Sequence, residues 1–68
     1  MDTRLKVLLR DYGYAVEGSL LVCKGERGFL PTRIIGRVRS LFDAAEQLVP
    51  IISDEEYTAR WLRITRPA

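Results

Sequence analysis

The stretch from Phe29 to Val49 carries the densest apolar pattern in the chain, and its conformation decides which fold the other segments can join. As a single helix it has one stripe with spacings of three and four, interrupted by Ala44. The stripe consists of Ile34, Ile35, Val38, Leu41, Phe42, Ala45, Leu48 and Val49. As a strand followed by a helix, it instead alternates over residues 33–39, with three arginines on one face.

Local chemistry favours the strand for the first half of this stretch. Ile34, Ile35 and Val38 are β-branched, and such side chains are stiff and pack well on a pleated surface. Gly36 inside a helix would cost roughly 1 kcal/mol relative to alanine. We therefore predict a strand at residues 33–39.

The second half of the stretch has the start signal of a helix. Ser40 followed by Asp43 has the form of a capping box, in which the serine oxygen accepts an orphan backbone N–H. We predict a helix from residue 41 that Pro50 ends or kinks, because proline lacks an N–H and clashes with the preceding turn. A single helix over residues 32–49 remains the alternative.

Residues 2–12 have the pattern of an amphipathic helix that Asp2 or Thr3 can cap. Its apolar residues fall at i, i+3, i+4 and i+7, and they are Leu5, Leu8, Leu9 and Tyr12. Gly13 supplies the left-handed residue that commonly closes a helix. We predict that the apolar face of this helix lies on the core of the protein.

Two short strands are predicted next, at Tyr14–Glu17 and Leu20–Lys24. The dipeptide Gly18-Ser19 between them is typical of a two-residue hairpin turn. The second strand is apolar through most of its length, as in a central strand covered on both sides. With a third strand at residues 33–39, the segments form an antiparallel meander.

The last segment carries the strongest helix start in the chain. Ser53 is predicted as the N-cap of a helix from about Asp54, with Glu56 completing a capping box and pairing with Arg60. The residues predicted to face inward are Tyr57, Trp61 and Ile64. Residues 1–68 are thus predicted to be one small α+β domain with an N-terminal helix, a β-hairpin or meander and two C-terminal helices.

The chain lacks the usual covalent or metal supports of a small domain. Its 68 residues include one cysteine and no histidine, so an internal disulfide and a zinc site are excluded. A chain of this size buries a small core. We therefore expect self-association, with a homodimer as the simplest form.

The residues with catalytic chemistry have structural roles in this pattern, so we predict that the protein is not an enzyme. Cys23 has no histidine to act as its base and is expected to be a buried, inert thiol in a strand. The acidic residues cluster in first helical turns, where the helix dipole favours them. Residues 25–28 form a turn without the spacing of a phosphate-binding loop, so no cofactor is expected.

A set of cationic residues supports one of two functional hypotheses. Placed on one face of a strand, three arginines form a strip that could contact nucleic-acid phosphates, with two further cations in or beside the adjoining turn. This predicted strip consists of Arg33, Arg37, Arg39, Lys24 and Arg27. The net charge of +2 and the neighbouring acidic residues weaken this hypothesis.

The favoured hypothesis is a regulatory module that acts by protein–protein contact and self-associates. Tyr57, Trp61 and Arg60 are its candidate interface residues, because aromatic residues and arginine are enriched in interfaces. No apolar run is long enough to span a membrane and no secretion pattern is present. A cytoplasmic protein is therefore expected.

Overall fold

The computed structural model describes residues 2–24 and 33–66, and this part of the chain forms three helices and three strands. Their order is α1 (Thr3–Asp11), β1 (Tyr14–Glu17), β2 (Leu20–Cys23), β3 (Arg33–Arg37), α2 (Leu41–Ile52) and α3 (Glu55–Thr65). The strands form one antiparallel sheet in the order β1-β2-β3. The predicted α+β architecture is confirmed, and the single helix over residues 32–49 is wrong because β3 and α2 divide that range.

The first half of the chain follows its local signals closely. Asp2 caps α1, where its carboxylate accepts a hydrogen bond from the backbone N–H of Arg4 at 3.0 Å. Gly13 follows the helix with φ of 84°. Between β1 and β2, Gly18 has φ of 64°, and Ser19 does not have a positive φ. A glycine in this conformation at the first central position is typical of a type II′ hairpin turn.

The third strand is shorter than predicted and contains a register shift. Its end at Arg37 is followed by one more ladder-like contact, since the N–H of Val38 donates to the carbonyl of Ser19 at 2.9 Å. Leu21 lies opposite Gly36, whereas Val22 lies opposite Ile34. The strand therefore holds one extra residue, Ile35, as in a β-bulge.

Helix α2 begins at the predicted cap and continues past the predicted stop. The Ser40 hydroxyl accepts the N–H of Asp43 at 3.1 Å, and the Asp43 carboxylate in turn accepts the N–H of Arg39 at 2.9 Å. Pro50 lies within the helix, which ends at Ile52, so of the two predicted effects the termination at Pro50 is wrong, and a kink there stays a prediction. Proline removes one backbone hydrogen bond, to the carbonyl four residues back, and that carbonyl belongs to the exposed residue Glu46, where water can replace the bond.

The junction between α2 and α3 corrects the predicted cap. Ser53 has the left-handed conformation, with φ of 51° and ψ of 48°, and its N–H donates to Val49, so it closes α2. Asp54 has extended φ and ψ, and its carboxylate accepts the N–H of Tyr57 at 3.0 Å. Because a helix N-cap requires extended backbone, Asp54 and not Ser53 caps α3, which begins at Glu55.

This correction predicts which of two neighbouring residues stabilises the junction. Asp54→Ala should lower the free energy of unfolding by about 1 kcal/mol, because it removes a helix cap. Ser53→Ala should change it by less than about 0.5 kcal/mol, because among the described residues the Ser53 side chain makes no hydrogen bond. Urea unfolding of both variants measures the difference, and the reverse ranking would restore Ser53 as the cap.

One hydrophobic cluster joins the helices to the inner face of the sheet. Helix α1 is its central element, since it contacts β1, α2 and α3. The buried cluster consists of Leu5, Leu8, Leu9, Leu21, Val38, Ala44, Ala45, Leu48 and Tyr57. Ala44 is thus fully buried and Phe42 is exposed, the reverse of the stripe drawn for a single long helix. Across the described ranges, no helix has the length and apolar character that a membrane span requires.

Candidate protein-contact surface

Helices α2 and α3 form an antiparallel pair, and two contacts fix their relative position. The Tyr57 hydroxyl donates to the carbonyl of Ala45 at 2.7 Å. One turn earlier in α2 and one turn later in α3, the rings of Phe42 and Trp61 lie 5.7 Å apart and tilted by 47°. Residues facing outward on the two helices therefore share one side of the molecule.

This side of the molecule exposes large apolar side chains. Phe42 is 46% exposed and Leu62 is 37% exposed. Val49 lies two turns after Phe42 on the same face of α2, and with Ala59 and Leu62 it lines a groove of about 480 Å³ between the helices. We call Phe42, Val49, Ala59 and Leu62 the α2/α3 surface.

The other two exposed large apolar residues of the described chain do not line this groove. Ile34 lies opposite Val22 in the sheet, and Ile51 lies near the end of α2, half a helix circumference away from Phe42. Single exposed apolar side chains are common on protein surfaces and need no partner. The α2/α3 surface differs because it combines two large apolar side chains with a groove.

Charged residues stand at the two ends of α3. Asp54, Glu55 and Glu56 are exposed at its start, and Arg63 and Arg66 are exposed at its end. None of these five makes an ion pair with another described residue. The order of acids and bases follows the helix dipole, and it gives the surface an acidic end and a basic end.

Tyr57, one of the predicted interface residues, is instead the centre of the core. It is fully buried, and its ring meets the ring of Tyr12 edge-on with centroids 5.1 Å apart. Burial raises the pKa of its phenol above the ordinary value. The inward orientation predicted for Tyr57 is confirmed, and its assignment to an interface is wrong because no part of the residue reaches the surface.

Arg60 makes a contact that its position in α3 does not indicate. Its guanidinium donates to the Asp11 carboxylate at 3.0 Å and lies 6.0 Å from the centre of the Tyr12 ring. The predicted pair with Glu56 is not formed, because Asp11 at the end of α1 lies within reach. Arg60 therefore links α1 to α3, and its guanidinium already has a partner within the chain.

Trp61 is half-buried between the core and the α2/α3 surface. It packs against the buried cluster, as predicted, while its ring meets Phe42 on the outer side. Its indole Nε1 is buried and has no acceptor among residues 2–24 and 33–66. Packing and not a hydrogen bond therefore positions the Trp61 ring, which lies between the core and Phe42.

The predicted arginine strip is divided by the bulge in β3. Arg33 lies opposite Cys23, whose other neighbour Tyr14 packs on the core, so Arg33 belongs to the inner side of the sheet. Arg37 lies opposite Leu20 and belongs to the outer side. The prediction that these arginines share one face is therefore wrong, because the extra residue reverses the alternation between them.

The remaining cations of the predicted strip are not equivalent to one another. Lys24 forms an ion pair with Glu17, with 2.8 Å between Nζ and Oε2. Arg39 is exposed, and its backbone N–H lowers the pKa of the Asp43 carboxyl, to which the Gln47 side chain also donates. Arg27 lies outside the described residues. Binding of nucleic acid by these residues stays a prediction from the sequence.

A second concave region lies between α1 and α3. It has a volume of about 310 Å³, with Val7 and Ile64 as apolar residues and Arg4, Arg60 and Arg63 as charged ones. Arg4 pairs with Asp2 and Arg60 pairs with Asp11. Two of its three cations are therefore already neutralised by carboxylates of α1 and its cap.

Cys23 is the one cysteine of the chain, and its surroundings are defined by its strand partners. It is a half-buried free cysteine in β2, rather than the fully buried one predicted, and its cross-strand partners are Tyr14 of β1 and Arg33 of β3. No group of three or more cysteine, aspartate and glutamate residues lies together as metal ligands within the described ranges.

The sequence of α3 contains a spacing that indicates this surface, although the prediction for α3 considered only its inward residues. Glu55, Ala59, Leu62 and Arg66 are separated by four, three and four positions, so they form a second stripe on the side of the helix opposite the buried one. Phe42 could not be found in the same way. In the sequence it belongs to the apolar stripe of the stretch from Phe29 to Val49, and only the packing of α2 exposes it.

Comparison of the chain with protein-family models, with curated proteins and with solved structures finds no match. The function therefore has to be inferred from the fold, the α2/α3 surface and the charges of α3.

Proposed function

We propose that this protein is a non-enzymatic regulatory module of the cytoplasm that acts by protein–protein contact and associates with itself through the α2/α3 surface. The observation that carries the proposal is the pair of large apolar side chains, Phe42 and Leu62, exposed beside the groove between the helices. The cytoplasmic setting is supported by the lone Cys23, since disulfide-stabilised small domains belong to oxidising compartments.

Burial of this surface has a clear energetic benefit. Removing apolar area from water contributes roughly 25 cal/mol per Å². A phenylalanine and a leucine that are each about two-fifths exposed still have a large part of this gain available. The protein core is small and contains no disulfide, so association would add to a marginal stability.

Nucleic-acid binding is the weaker alternative because its geometric premise is lost. The arginine strip required Arg33 and Arg37 on one face, and the sheet register separates them. Lys24 is also paired with Glu17.

The proposal predicts that a charge on the α2/α3 surface prevents association. Leu62→Asp should convert a self-associating protein into a monomer at tens of micromolar, because the aspartate would have to be desolvated in the contact. Ile34→Asp is the matched control, since Ile34 is an even more exposed apolar residue on the outer side of the sheet. Sedimentation equilibrium of the wild type and both variants measures their molecular weights.

Two results would contradict the proposal. A wild-type protein that remains monomeric at all accessible concentrations would remove self-association, and association abolished by Ile34→Asp but not by Leu62→Asp would move the contact to the sheet. Circular dichroism and thermal unfolding establish that each variant is folded before its weight is compared.

A further inference from the structure

The exposed stripe of α3 has an order of charges that is complementary to itself. One face of α3 carries four residues within about 60° of the helix circumference, because steps of seven and eleven residues come close to two and three full turns. These residues are Glu55, Ala59, Leu62 and Arg66. All four are exposed. The N–H of Arg66 donates to the Leu62 carbonyl at 2.8 Å, which keeps Arg66 in line with the stripe after the helix ends.

Two copies of this stripe match when they are turned end to end. Residues 55 and 66 have the same midpoint as residues 59 and 62, between positions 60 and 61. A two-fold axis at that midpoint places Glu55 opposite Arg66 of a second copy and Ala59 opposite Leu62 of that copy. A two-fold contact is closed, and each pairing occurs twice.

We propose that the occupant of the α2/α3 surface is a second copy of this chain, bound with the two α3 helices antiparallel about that axis. This inference rests on the proposed function and adds the polarity and register of the contact. Each leucine meets the small Ala59 of the other copy at the centre, and Glu55–Arg66 ion pairs close both ends. Phe42 and Val49 of α2 flank the seam and extend its apolar area.

The opposite polarity is disfavoured by the same charges. In a parallel arrangement of the two helices, the acidic starts would lie side by side, with Asp54, Glu55 and Glu56 of both copies in proximity. The basic ends, with Arg63 and Arg66, would also be brought together. Like charges across an interface oppose association, so the antiparallel arrangement is selected.

Charge reversal at the two ends of the stripe tests the register. Glu55→Arg alone and Arg66→Glu alone should each weaken self-association about tenfold, since each places like charges together at both symmetric contacts. An equimolar mixture of the two single variants should form a heterodimer as tight as the wild type, because both of its contacts then join opposite charges. The double variant Glu55→Arg/Arg66→Glu should likewise recover the wild-type dissociation constant.

Glu56→Arg is the matched control, because it makes the same change of charge at the start of α3 but lies off the stripe. It should weaken association less than twofold at physiological salt. Dissociation constants from sedimentation equilibrium, at low and high salt, measure all five proteins. The effect of Glu55→Arg should shrink at high salt, since salt screens exposed charges.

The outcomes separate this inference from the function on which it rests. If Leu62→Asp makes the protein monomeric but Glu55→Arg acts no more strongly than Glu56→Arg, the surface stands and the antiparallel register is overturned. A mixture of the single variants that does not form heterodimers also overturns it. If Leu62→Asp leaves association unchanged, the contact surface itself is refuted.

Discussion

Replacing Tyr57 with alanine is expected to lower the free energy of unfolding by about 3 to 5 kcal/mol, the range for removal of a large buried aromatic side chain. Tyr57 is fully buried, packs edge-on against Tyr12 and spans from α3 to the backbone of α2. A domain of this length has a total stability of only about 3 to 10 kcal/mol. The alanine variant should therefore lose a large share of the total stability, and its urea midpoint should fall well below that of the wild type.

Tyr57→Phe separates the ring from the hydroxyl. It should cost about 1 kcal/mol, because it removes one buried hydrogen bond and leaves an interior helix carbonyl, Ala45, that keeps its partner within α2. Tyr14→Phe is the control, since Tyr14 is only half-buried, and it should change stability by less than about 0.5 kcal/mol. Urea unfolding followed by circular dichroism measures both, and equal costs would contradict a structural role for the Tyr57 hydroxyl.

The same pair of proteins should differ in their response to alkaline pH. Burial, and to a lesser extent the nearby Tyr12 and Tyr14, raises the pKa of Tyr57 in the folded protein above its unfolded value near 10. The stability that this group contributes is present below pH 10 and is lost as pH rises from there towards the folded pKa. The wild type should therefore lose more stability above pH 10 than Tyr57→Phe does, and parallel pH profiles would contradict this account.

The second large effect is expected at Leu8 in the centre of α1. Leu8→Ala should lower the free energy of unfolding by about 2 to 5 kcal/mol, because it removes three carbons from a fully buried side chain and leaves a cavity. Since α1 contacts β1, α2 and α3, the neighbouring elements cannot all move in to fill the space. Thermal and urea unfolding of the variant measure this cost.

Ile51→Ala is the matched control for Leu8→Ala, because it also removes three carbons but from a side chain that is 51% exposed. It should cost less than about 1 kcal/mol, since little apolar area is returned to water and no internal cavity forms. A comparable loss in the two variants would indicate that α1 is not the centre of the core.

Where the contacts are between near neighbours, the sequence predicted them well. Asp2 and Ser40 cap the helices as their chemistry requires, and Gly13 and Gly18 take the positive φ angles predicted for a helix end and a hairpin turn. The choice of strand over helix for the segment containing Ile34 also followed from side-chain shape and a single glycine. These contacts form within a few residues, so the order of residue types contains the whole argument.

The prediction from local sequence was wrong where two neighbouring residues can each cap the same helix. Ser53 and Asp54 are both good caps, and the sequence pattern favoured Ser53. The deciding factor is that α2 continues past Pro50 to Ile52, which leaves Ser53 in the left-handed position and passes the cap to Asp54. How far α2 extends depends on its packing against α1 and α3, and residue order alone does not contain that information.

Some properties of the α2/α3 surface come from the sequence and others from tertiary packing. The charges of α3 and the spacing of Glu55 and Arg66 are properties of the sequence, and they remain the basis of the proposed antiparallel contact. The exposure of Phe42 is a property of packing that the sequence did not predict, whereas the burial of Tyr57 was predicted from its place on the inward face of α3. The type of an apolar residue indicates that its burial is favourable. It does not indicate whether the residue is buried in the core of its own chain or in a contact with another chain.

What only the tertiary structure decided are the contacts between residues far apart in the chain. The sequence by itself determined the six elements, most of their caps and the zoning of charge along the chain. The bulge that separates Arg33 from Arg37 depends on which residue of β2 each one faces, and the pairing of Arg60 with Asp11 joins positions 49 residues apart. Such partners are chosen when the elements pack, because each charge or strand edge has several chemically equivalent candidates until the fold brings one of them within reach.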